Sequence, residues 1–260
     1  MAKEQTTGDG PWLRLISCAR TQQGAASSLQ SYTEQLAALL RGRLYWQPVA
    51  GSESPEVTKR DLRQYDLVIV KEAGWLSWTR PSGQMAAPFA NQEQQPSLLL
   101  VREPCWPLRR LLLLIRGQAT DRATIEWGVY LAQRARCNVT LLVVKPPILD
   151  ERDHFIAQAL KANTVPGRHI RYALHQFATN QVTGVLKLSH TGAERQVQAE
   201  VTDSLYDLII LGNEPLGRLF SWRLDSLLTP LLQWTQQPLL IAGVTSPWSR
   251  DSKAGEVWQA

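Results

Sequence analysis

The residues best placed to do chemistry are two aspartates that open matching apolar strands. Asp66 lies in the phrase Tyr65-Asp-Leu-Val-Ile-Val-Lys71, and Asp207 lies in the phrase Tyr206-Asp-Leu-Ile-Ile-Leu-Gly212. A carboxylate can act as a general base, but catalysis then needs a nucleophile within hydrogen-bond reach. The order of Ser, His, Asp and Cys residues shows no distinctive catalytic arrangement. We therefore expect both aspartates to be surface or capping carboxylates at strand edges.

The histidines and cysteines form no recognisable metal or redox motif. No Cys-x-x-Cys spacing occurs, and the histidines lack a carboxylate or a cysteine at ligand spacing. An odd number of cysteines leaves one unpaired in any disulfide scheme, which suits a reducing cytoplasm. These residues are His154, His169, His175, His190, Cys18, Cys105 and Cys137. We expect no bound metal, a cytoplasmic protein, and a loop position rather than a catalytic role for His190.

The two aspartate phrases belong to a longer internal repeat, which is the first organisation to look for in a chain. Pro88-Phe-Ala-Asn-Gln-Glu-Gln-Gln-Pro96 leads into the apolar segment Ser97–Val101. Pro230-Leu-Leu-Gln-Trp-Thr-Gln-Gln-Pro238 leads into Leu239–Ala242 with the same proline spacing. Two copies of one strand and helix unit therefore fill most of the chain, and the first copy is shorter in its middle.

The chain length agrees with two modules, because 260 residues exceed the usual size of one domain. Glu103-Pro-Cys-Trp-Pro107 separates the copies, since two prolines so close together cannot extend a central strand or a helix. The predicted boundaries are an N-terminal module at 11–103, a C-terminal module at 108–244 and a tail at 245–260. The tail is polar apart from Trp248 and Trp258, and we expect its end to be disordered.

Strands that alternate with helices predict a parallel sheet. Residues 111–115 are apolar without alternation, which is typical of a strand covered on both faces. Thr120 or Asp121 is expected to cap the next helix. The packing face of that helix, which follows helical spacing, comprises Ala123, Trp127, Tyr130 and Leu131.

The rest of the second copy is expected to follow the same alternation. A strand is predicted at 138–144, a helix at 150–162, a strand within 182–189 and a helix at 192–205. Val197, Val201 and Leu205 are spaced four apart and predict one buried face of that last helix. Thr229 and Pro230 then predict an N-cap and the first position of a short helix.

Charge and hydropathy exclude some classes of protein. The net charge is +5 and the pI is about 9.3, but the basic residues are scattered, which argues against a nucleic-acid partner. The apolar runs are far shorter than the ~18 residues that predict a membrane span. The ten tryptophans are unusual for this length and include candidate interface anchors.

The order of elements at 108–243 resembles the universal stress protein family. It consists of an apolar strand, a polar turn, an amphipathic helix and a Val-rich strand, followed later by Asp207-Leu-Ile-Ile-Leu-Gly212 and a strand after Pro238. The first copy resembles the same module with its middle trimmed. The implied fold is α/β, with two tandem universal-stress-protein-like (adenine nucleotide alpha hydrolase-like) modules that contain parallel sheets. The resemblance implies a pseudo-dimer in which Ser97–Val101 meets Leu239–Ala242.

The resemblance also points to a phosphate cradle. ATP-binding members of the family carry Gly-x2-Gly-x9-Gly-Ser/Thr after the fourth strand, and here the matching positions hold Gly212, Pro215, Asp225 and Ser226. Pro215 removes one N–H donor, and Asp225 places a carboxylate where phosphate would lie. An aspartate that meets the nucleotide in the family is replaced by Arg116.

Two functions remain open on these residues. The first is a non-enzymatic stress-response or regulatory protein that has lost the family's ATP binding and acts through protein contacts, with a homodimer allowed. Its candidate partner-binding residues are Trp75, Trp78, Phe220 and Trp222. The alternative is a sensor of ATP with magnesium in the C-terminal module, using Gly117, Gly212, Gly217, Arg218 and Ser226.

Overall fold

A mainly parallel sheet of nine strands runs through the chain in the computed structural model. The structure describes residues 13–20, 26–49, 64–71, 96–144, 165–188, 193–203, 205–212, 227–243 and 246–248. The strands are β1 (Arg14–Arg20), β2 (Arg43–Val49), β3 (Leu67–Lys71), β4 (Ser97–Val101), β5 (Arg110–Ile115), β6 (Asn138–Val143), β7 (Gly184–Leu188), β8 (Leu208–Gly212) and β9 (Leu239–Ala242). The described helices are α1 (Ala26–Leu40), α2 (Asp121–Ala135), α3 (Val165–Thr179), α4 (Ala193–Asp203) and α5 (Leu228–Trp234).

The strand order is β2-β1-β3-β4-β9-β8-β5-β6-β7. The pairs within β1 to β4 are parallel, and so are the pairs within β5 to β9. Strands β4 and β9 run antiparallel to each other, with Leu99 opposite Leu240. The α/β prediction is confirmed, and so is the predicted meeting of Ser97–Val101 with Leu239–Ala242.

Both faces of the sheet are covered, as the uninterrupted apolar sequence of β5 predicts. Every residue of 111–115 is fully buried. Alternate side chains enter two core clusters: Leu113 lies in the cluster that includes Trp127 of α2, and Leu112 lies in the cluster that includes Val197 of α4. The residues of both halves of the sheet contribute to each cluster, so the core continues across the antiparallel pair.

The helix predictions in the second half succeed in part. Ala123, Trp127, Tyr130 and Leu131 are buried on α2 as predicted, and Val197 and Val201 are buried on α4. The prediction that Leu205 shares this face is wrong, because α4 ends at Asp203 and Leu205 is 77% exposed. The predicted strand within 182–189 is confirmed as β7. The predicted helix at 150–162 lies outside the described residues.

One helix lies where the sequence makes no clear prediction, and one predicted helix start needs correction. The sequence pattern is ambiguous between residue 163 and Thr191 apart from the predicted strand, and within this stretch residues 165–179 form α3 and bury Ile170, Ala173 and Phe177. Helix α5 begins at Leu228, so Pro230 is its third residue rather than its first, and Leu227 rather than Thr229 occupies the N-cap. No helix among the described residues is long and apolar enough to cross a membrane.

Side chains also join the two halves of the sheet. Arg102, just after β4, donates through Nη1 to the carbonyl oxygens of Leu232 and Thr235 at the end of α5. A cation at this end of a helix satisfies carbonyls that lack partners within the helix. The Tyr130 hydroxyl of α2 donates to the Leu40 carbonyl of α1 at 3.4 Å, and Trp248 lies edge-on to the Tyr130 ring. This part of the predicted tail therefore packs on the fold.

Candidate functional site

The topology directs attention to the carboxyl ends of β5 and β8. Strand β5 connects to β6 on one side, whereas β7 returns to β8 on the other side of β5. In open α/β sheets, ligands bind in the crevice where the strand connections diverge in this way. The chain leaves β5 into a turn at 116–120 and leaves β8 at Gly212, so these positions form the candidate site.

The turn after β5 wraps around the carboxylate of Asp121. Asp121 Oδ2 accepts hydrogen bonds from the backbone N–H groups of Arg116 at 3.1 Å, Gly117 at 2.6 Å and Gln118 at 2.8 Å. The side chain is nearly inaccessible, since Asp121 is 1% exposed. Successive N–H groups that converge in this way form an anion-binding concavity, called a nest. Here the anion is supplied by the chain itself.

Gly117 is required by the shape of this turn. Its φ is +79°, which a residue with a side chain rarely adopts. A Cβ at this position would also lie 2.9 Å from Pro166 Cγ at the start of α3. Helix α3 therefore packs directly on the turn.

His169 of α3 adds an imidazole to the same carboxylate. Its Nδ1 lies 3.2 Å from Asp121 Oδ2, and its side chain is 16% exposed. Within the described ranges, no hydrogen bond joins His169 to a hydroxyl or a thiol. The pair thus orders the turn and lacks the nucleophile of a catalytic triad.

The ends of β5 and β8 are bridged by side chains. Arg116 Nη2 donates to the Gly212 carbonyl at 3.3 Å. A Cβ added at Gly212 would lie 2.5 Å from Thr120 Oγ1, so Gly212 allows β8 to approach the start of α2. The Thr120 hydroxyl oxygen is buried and has no hydrogen-bond partner among the described residues. The crevice is therefore lined by Arg116, Thr120 and Gly212.

Of the residues predicted for a nucleotide, the structure brings Gly117 and Gly212 to this one end of the sheet. The other predicted residues lie outside the described residues, and so do the substitutions Pro215 and Asp225. These residues are Gly217, Arg218 and Ser226 for the nucleotide, and Trp75, Trp78, Phe220 and Trp222 for a protein partner. Their predicted roles stay predictions.

The sequence-based expectation for the start of α2 is confirmed for the N-cap position, which Thr120 occupies, and is wrong for the capping bond. Thr120 at the N-cap makes no side-chain capping bond. Asp121 is the first helical residue and bonds backwards to the preceding turn. The four-residue spacing between Gly117 and Asp121 could have indicated this backward bond, because Asp side chains commonly bond to nearby backbone N–H groups in turns.

Asp66 and Asp207 have the structural role that the sequence predicts. Asp66 Oδ2 accepts from the Arg14 N–H at 2.7 Å, while the Asp66 N–H donates to the Arg14 carbonyl at 2.8 Å. Asp207 and Arg110 repeat both bonds, at 2.8 Å and 2.9 Å. Each aspartate therefore joins the starts of two neighbouring parallel strands. Asp207 lies at the end of the sheet opposite Gly212, whereas Asp66 lies at the same end as Gly212, because the two halves of the sheet run antiparallel.

The three thiols are not poised for reaction. All are free cysteines. Burial raises the pKa of Cys18 to about 11 and that of Cys137 to about 12. The pKa of Cys105 is also raised, mainly by burial and to a smaller extent by a hydrogen bond to Asp207. Protonated thiols are poor nucleophiles and poor metal ligands. No cluster of three or more His, Cys, Asp or Glu side chains occurs in the described ranges that could hold a metal ion.

Comparison with known proteins gives similarity in structure only. No family model matches the sequence. No curated protein sequence matches it either.

Solved structures resemble the chain at low sequence identity. A universal stress protein from Archaeoglobus fulgidus is 9% identical, with 89% of this chain and 87% of that chain covered and a TM-score of 0.53. A universal stress protein family protein from Arabidopsis thaliana with AMP bound is 12% identical over 57% of this chain and 99% of that chain, at a TM-score of 0.38. A universal stress protein in complex with cAMP is 13% identical over 53% of this chain and 98% of that chain, also at 0.38. The Archaeoglobus fulgidus structure, whose TM-score exceeds 0.5, shows that the chain has the fold of universal stress proteins.

Proposed function

We propose that this chain is a non-enzymatic stress-response or regulatory protein that acts through protein contacts and does not bind ATP in the manner of nucleotide-binding universal stress proteins. The fold supports the broad class of protein, and the details of the β5 end support the loss of nucleotide binding. Fold alone does not determine function, so the residues of the site must decide between the candidates.

The observation that carries the proposal is the occupation of the turn after β5 by Asp121. Three backbone N–H groups that point into the crevice already donate to this carboxylate. A phosphate group that entered this turn would find these donors taken and would meet a buried carboxylate, which repels it in a region of low dielectric. Arg116 replaces the aspartate expected from the family and donates to the Gly212 carbonyl instead.

The thiols and the histidine support a non-enzymatic role. The pKa of each cysteine is raised, so none is an activated nucleophile near neutral pH. His169 bonds to Asp121 and has no hydroxyl partner within the described ranges. The imidazole therefore stabilises a turn.

Protein contacts are proposed for the two tryptophan-containing loops. Trp75 and Trp78 follow β3, and Phe220 and Trp222 occupy the corresponding stretch after β8. Aromatic side chains of this kind dominate the energetics of protein interfaces. The repetition of Ser-Trp at 77–78 and 221–222 supports one shared role for both loops.

The alternative function is a sensor of ATP with magnesium. Gly212 ends β8, and Gly117 lies two residues after the neighbouring strand β5. Both lie at the end of the sheet where ligands bind in open α/β sheets, and this placement favours a ligand of some kind. Gly217, Arg218 and Ser226 would then complete the cradle. A nucleotide that also used the N–H groups of the turn after β5 would have to displace the carboxylate of Asp121 from them.

Calorimetric titration of nucleotide-stripped protein with ATP and magnesium separates the two functions. We expect no saturable heat up to millimolar ATP, because the donors are occupied. Saturable binding at micromolar ATP would overturn the proposal and establish the sensor.

The contact surface is tested by affinity capture from the native lysate with immobilised full-length protein. We expect a stoichiometric partner that is lost with Trp222→Ala or Trp78→Ala and retained with Trp258→Ala, a matched change in the tail. Equal retention by all of these variants would count against the two loops.

A further inference from the structure

We propose that the starts of β5 and β6 form a docking surface for an acidic segment of a partner protein. The surface, named the arginine rim, consists of Arg109, Arg110 and Arg136. It is separate from the tryptophan-containing loops that follow β3 and β8, so the inference goes beyond the proposed function. The partner that it fits carries a short run of Asp or Glu residues in an exposed, extended segment.

The fold brings together arginines that are distant in sequence. Arg110 lies opposite Asn138 in the parallel pair of β5 and β6. The Arg109 carbonyl accepts from the Asn138 N–H at 2.9 Å, and Arg136 lies two residues before Asn138. Because neighbouring strands are about 4.8 Å apart, the three arginines leave the backbone at one end of two adjacent strands. Basic residues that are scattered in the sequence therefore form a local concentration of positive charge.

The charged groups of the arginine rim are available to a partner. Arg109, Arg110 and Arg136 are all exposed. Within the described ranges, no ion pair or side-chain hydrogen bond engages any of their guanidinium groups. The planar guanidinium group matches a carboxylate through two parallel N–H bonds, so arginine suits the recognition of Asp and Glu side chains.

The carboxylate at the start of β8 holds the backbone of the rim in place. Asp207 Oδ2 accepts from the backbone N–H groups of Arg109 at 2.6 Å and Arg110 at 2.8 Å. Its Oδ1 lies 3.4 Å from Cys105 Sγ. These bonds use the main chain of the arginines and a thiol, so they fix the rim without engaging the guanidinium groups.

An aromatic residue lies beside the rim. Trp106 follows Cys105 in the linker, is 37% exposed and packs edge-on against Tyr32, with 6.0 Å between the ring centroids. Tryptophan and arginine are both enriched among the residues that contribute most to protein binding. The combination of a fixed indole and exposed guanidinium groups favours a protein partner.

The size of the rim fits a peptide better than a nucleic acid. Proteins that bind duplex DNA through its backbone commonly neutralise about 6 to 10 phosphates. Three guanidinium groups on two strands cover a shorter span. An extended peptide places alternate side chains about 7 Å apart on one face, so a short acidic run can engage the whole rim.

The test is a fluorescence anisotropy titration of a labelled oligoglutamate peptide with full-length protein, at low and at physiological ionic strength. The wild type is compared with a rim variant and with a control variant that loses the same number of positive charges from exposed residues of the N-terminal half. The rim variant is Arg109→Gln/Arg110→Gln/Arg136→Gln, and the control variant is Arg14→Gln/Arg41→Gln/Lys71→Gln.

We expect the rim variant to bind the peptide about tenfold more weakly than the wild type, because several exposed ion pairs of modest strength are lost together. The control variant should stay close to the wild type. The affinity of the wild type should fall as the ionic strength rises, since salt screens exposed charges.

The rim variant is expected to fold normally. Glutamine retains the backbone N–H groups that bind Asp207, and Gln181 already holds a φ of +54°, close to the φ of +52° at Arg136. Thermal unfolding followed by circular dichroism checks this point. If the unfolding temperature is lowered, Arg109→Gln and Arg136→Gln are titrated singly, and each must still weaken peptide binding for the inference to stand.

No saturable binding of the peptide by the wild type at low ionic strength would overturn the inference. Equal losses in the rim and control variants would also overturn it and would show an effect of net charge only. Tighter binding of a single-stranded or duplex oligonucleotide of equal charge would assign the rim to nucleic acid instead. The proposed function fails on a different result, the binding of ATP by the wild type, whether or not the peptide binds.

Discussion

Among single residues, three aspartates fix the backbone of this protein. Asp66 and Asp207 hold the starts of parallel strands, and Asp121 holds the turn that follows β5. Each accepts hydrogen bonds from main-chain N–H groups that would otherwise need water. Charge-assisted bonds of this kind are stronger than bonds between neutral groups.

Asp121→Ala is expected to lower the free energy of unfolding by about 3 kcal/mol, because three charge-assisted bonds are lost and water replaces them in part. Urea denaturation at neutral pH measures this loss. Asp203→Ala, an exposed change at the end of α4, is the control and should be near neutral. A loss with Asp121→Ala below about 1 kcal/mol, the value of one ordinary hydrogen bond, would contradict the assigned contacts.

The buried thiols predict a loss of stability at alkaline pH. The pKa of Cys18 rises from 9.0 to about 11 on folding, so the unfolded chain releases this proton first. The stabilisation is therefore complete below pH 9 and is lost as the pH rises towards 11, with a total of roughly 3 kcal/mol. Cys18→Val removes the thiol and should flatten the pH dependence of the unfolding free energy over that range. An identical slope in the variant and the wild type would refute the assignment.

Single residues also show how far the sequence can be interpreted. Asp66 and Asp207 could be predicted as capping residues because the repeated phrase places them identically before two strands. Asp121 could not be assigned correctly, because an Asp at a helix start can bond forwards to the helix or backwards to the turn. The choice depends on Gly117, whose positive φ turns the N–H groups of 116–118 towards the carboxylate.

Among the elements, α2 packs unusually close to β5 through Gly128. A Cβ added at Gly128 would lie 2.4 Å and 2.5 Å from the two Cδ atoms of Leu113. Glycine has a low helix propensity, so the close packing of α2 on Leu113 is what favours glycine at this position. The close approach also brings the start of α2 to the ends of β5 and β8.

Gly128→Ala is expected to lower the free energy of unfolding by about 1 to 2 kcal/mol, because the overlap with Leu113 outweighs a gain of about 1 kcal/mol in helix propensity. Leu113→Ala should remove the overlap. A double-mutant cycle with thermal or urea denaturation measures the coupling, and the double variant should lose less than the sum of the single variants. A stabilised single variant, or a strictly additive cycle, would contradict the close packing.

The helices differ in how well the sequence predicts them. Helix α2 was predictable because Trp127, Tyr130 and Leu131 are large apolar residues at helical spacing. Helix α3 was not, because its buried face consists of Gly167, Ile170, Ala173 and Phe177, which give a weak apolar pattern. Pro166, near its start, was the usable signal.

In the molecule as a whole, the antiparallel pair of β4 and β9 converts two half-sheets into one. Ser97 Oγ accepts from the Gly243 N–H at 3.0 Å at one end of this pair, and Arg102 binds the end of α5 at the other. An exposed edge strand invites pairing with other chains. Pairing inside the chain removes two such edges.

The fragment 108–244 is expected to form dimers or larger species, because β9 would lack its β4 partner and expose an apolar edge. Light scattering after size-exclusion chromatography gives the mass, with the full chain as the control. A monomeric, folded fragment would contradict the importance of this pair and favour an independent C-terminal module.

The architecture could be predicted because the sequence contains two copies of one unit, and each copy supports the interpretation of the other. Matching strands and prolines implied two related halves. The resemblance to universal stress proteins implied that the halves meet through Ser97–Val101 and Leu239–Ala242, and both strands are found paired. The state of the crevice was not predictable in the same way. It depends on side chains from the turn, α2 and α3, which are distant in sequence and meet only in the folded chain.

The exclusion of nucleotide from the crevice by Asp121 can be tested by NMR. The chemical shifts of the backbone amides of Gly117 and Gly212 are followed while ATP and magnesium are added to the full chain. If Asp121 occupies the donors, the Gly117 resonance keeps its position up to millimolar ATP, and Gly212 does the same. Saturable shifts of both resonances at micromolar ATP would show a nucleotide in the crevice and contradict the exclusion.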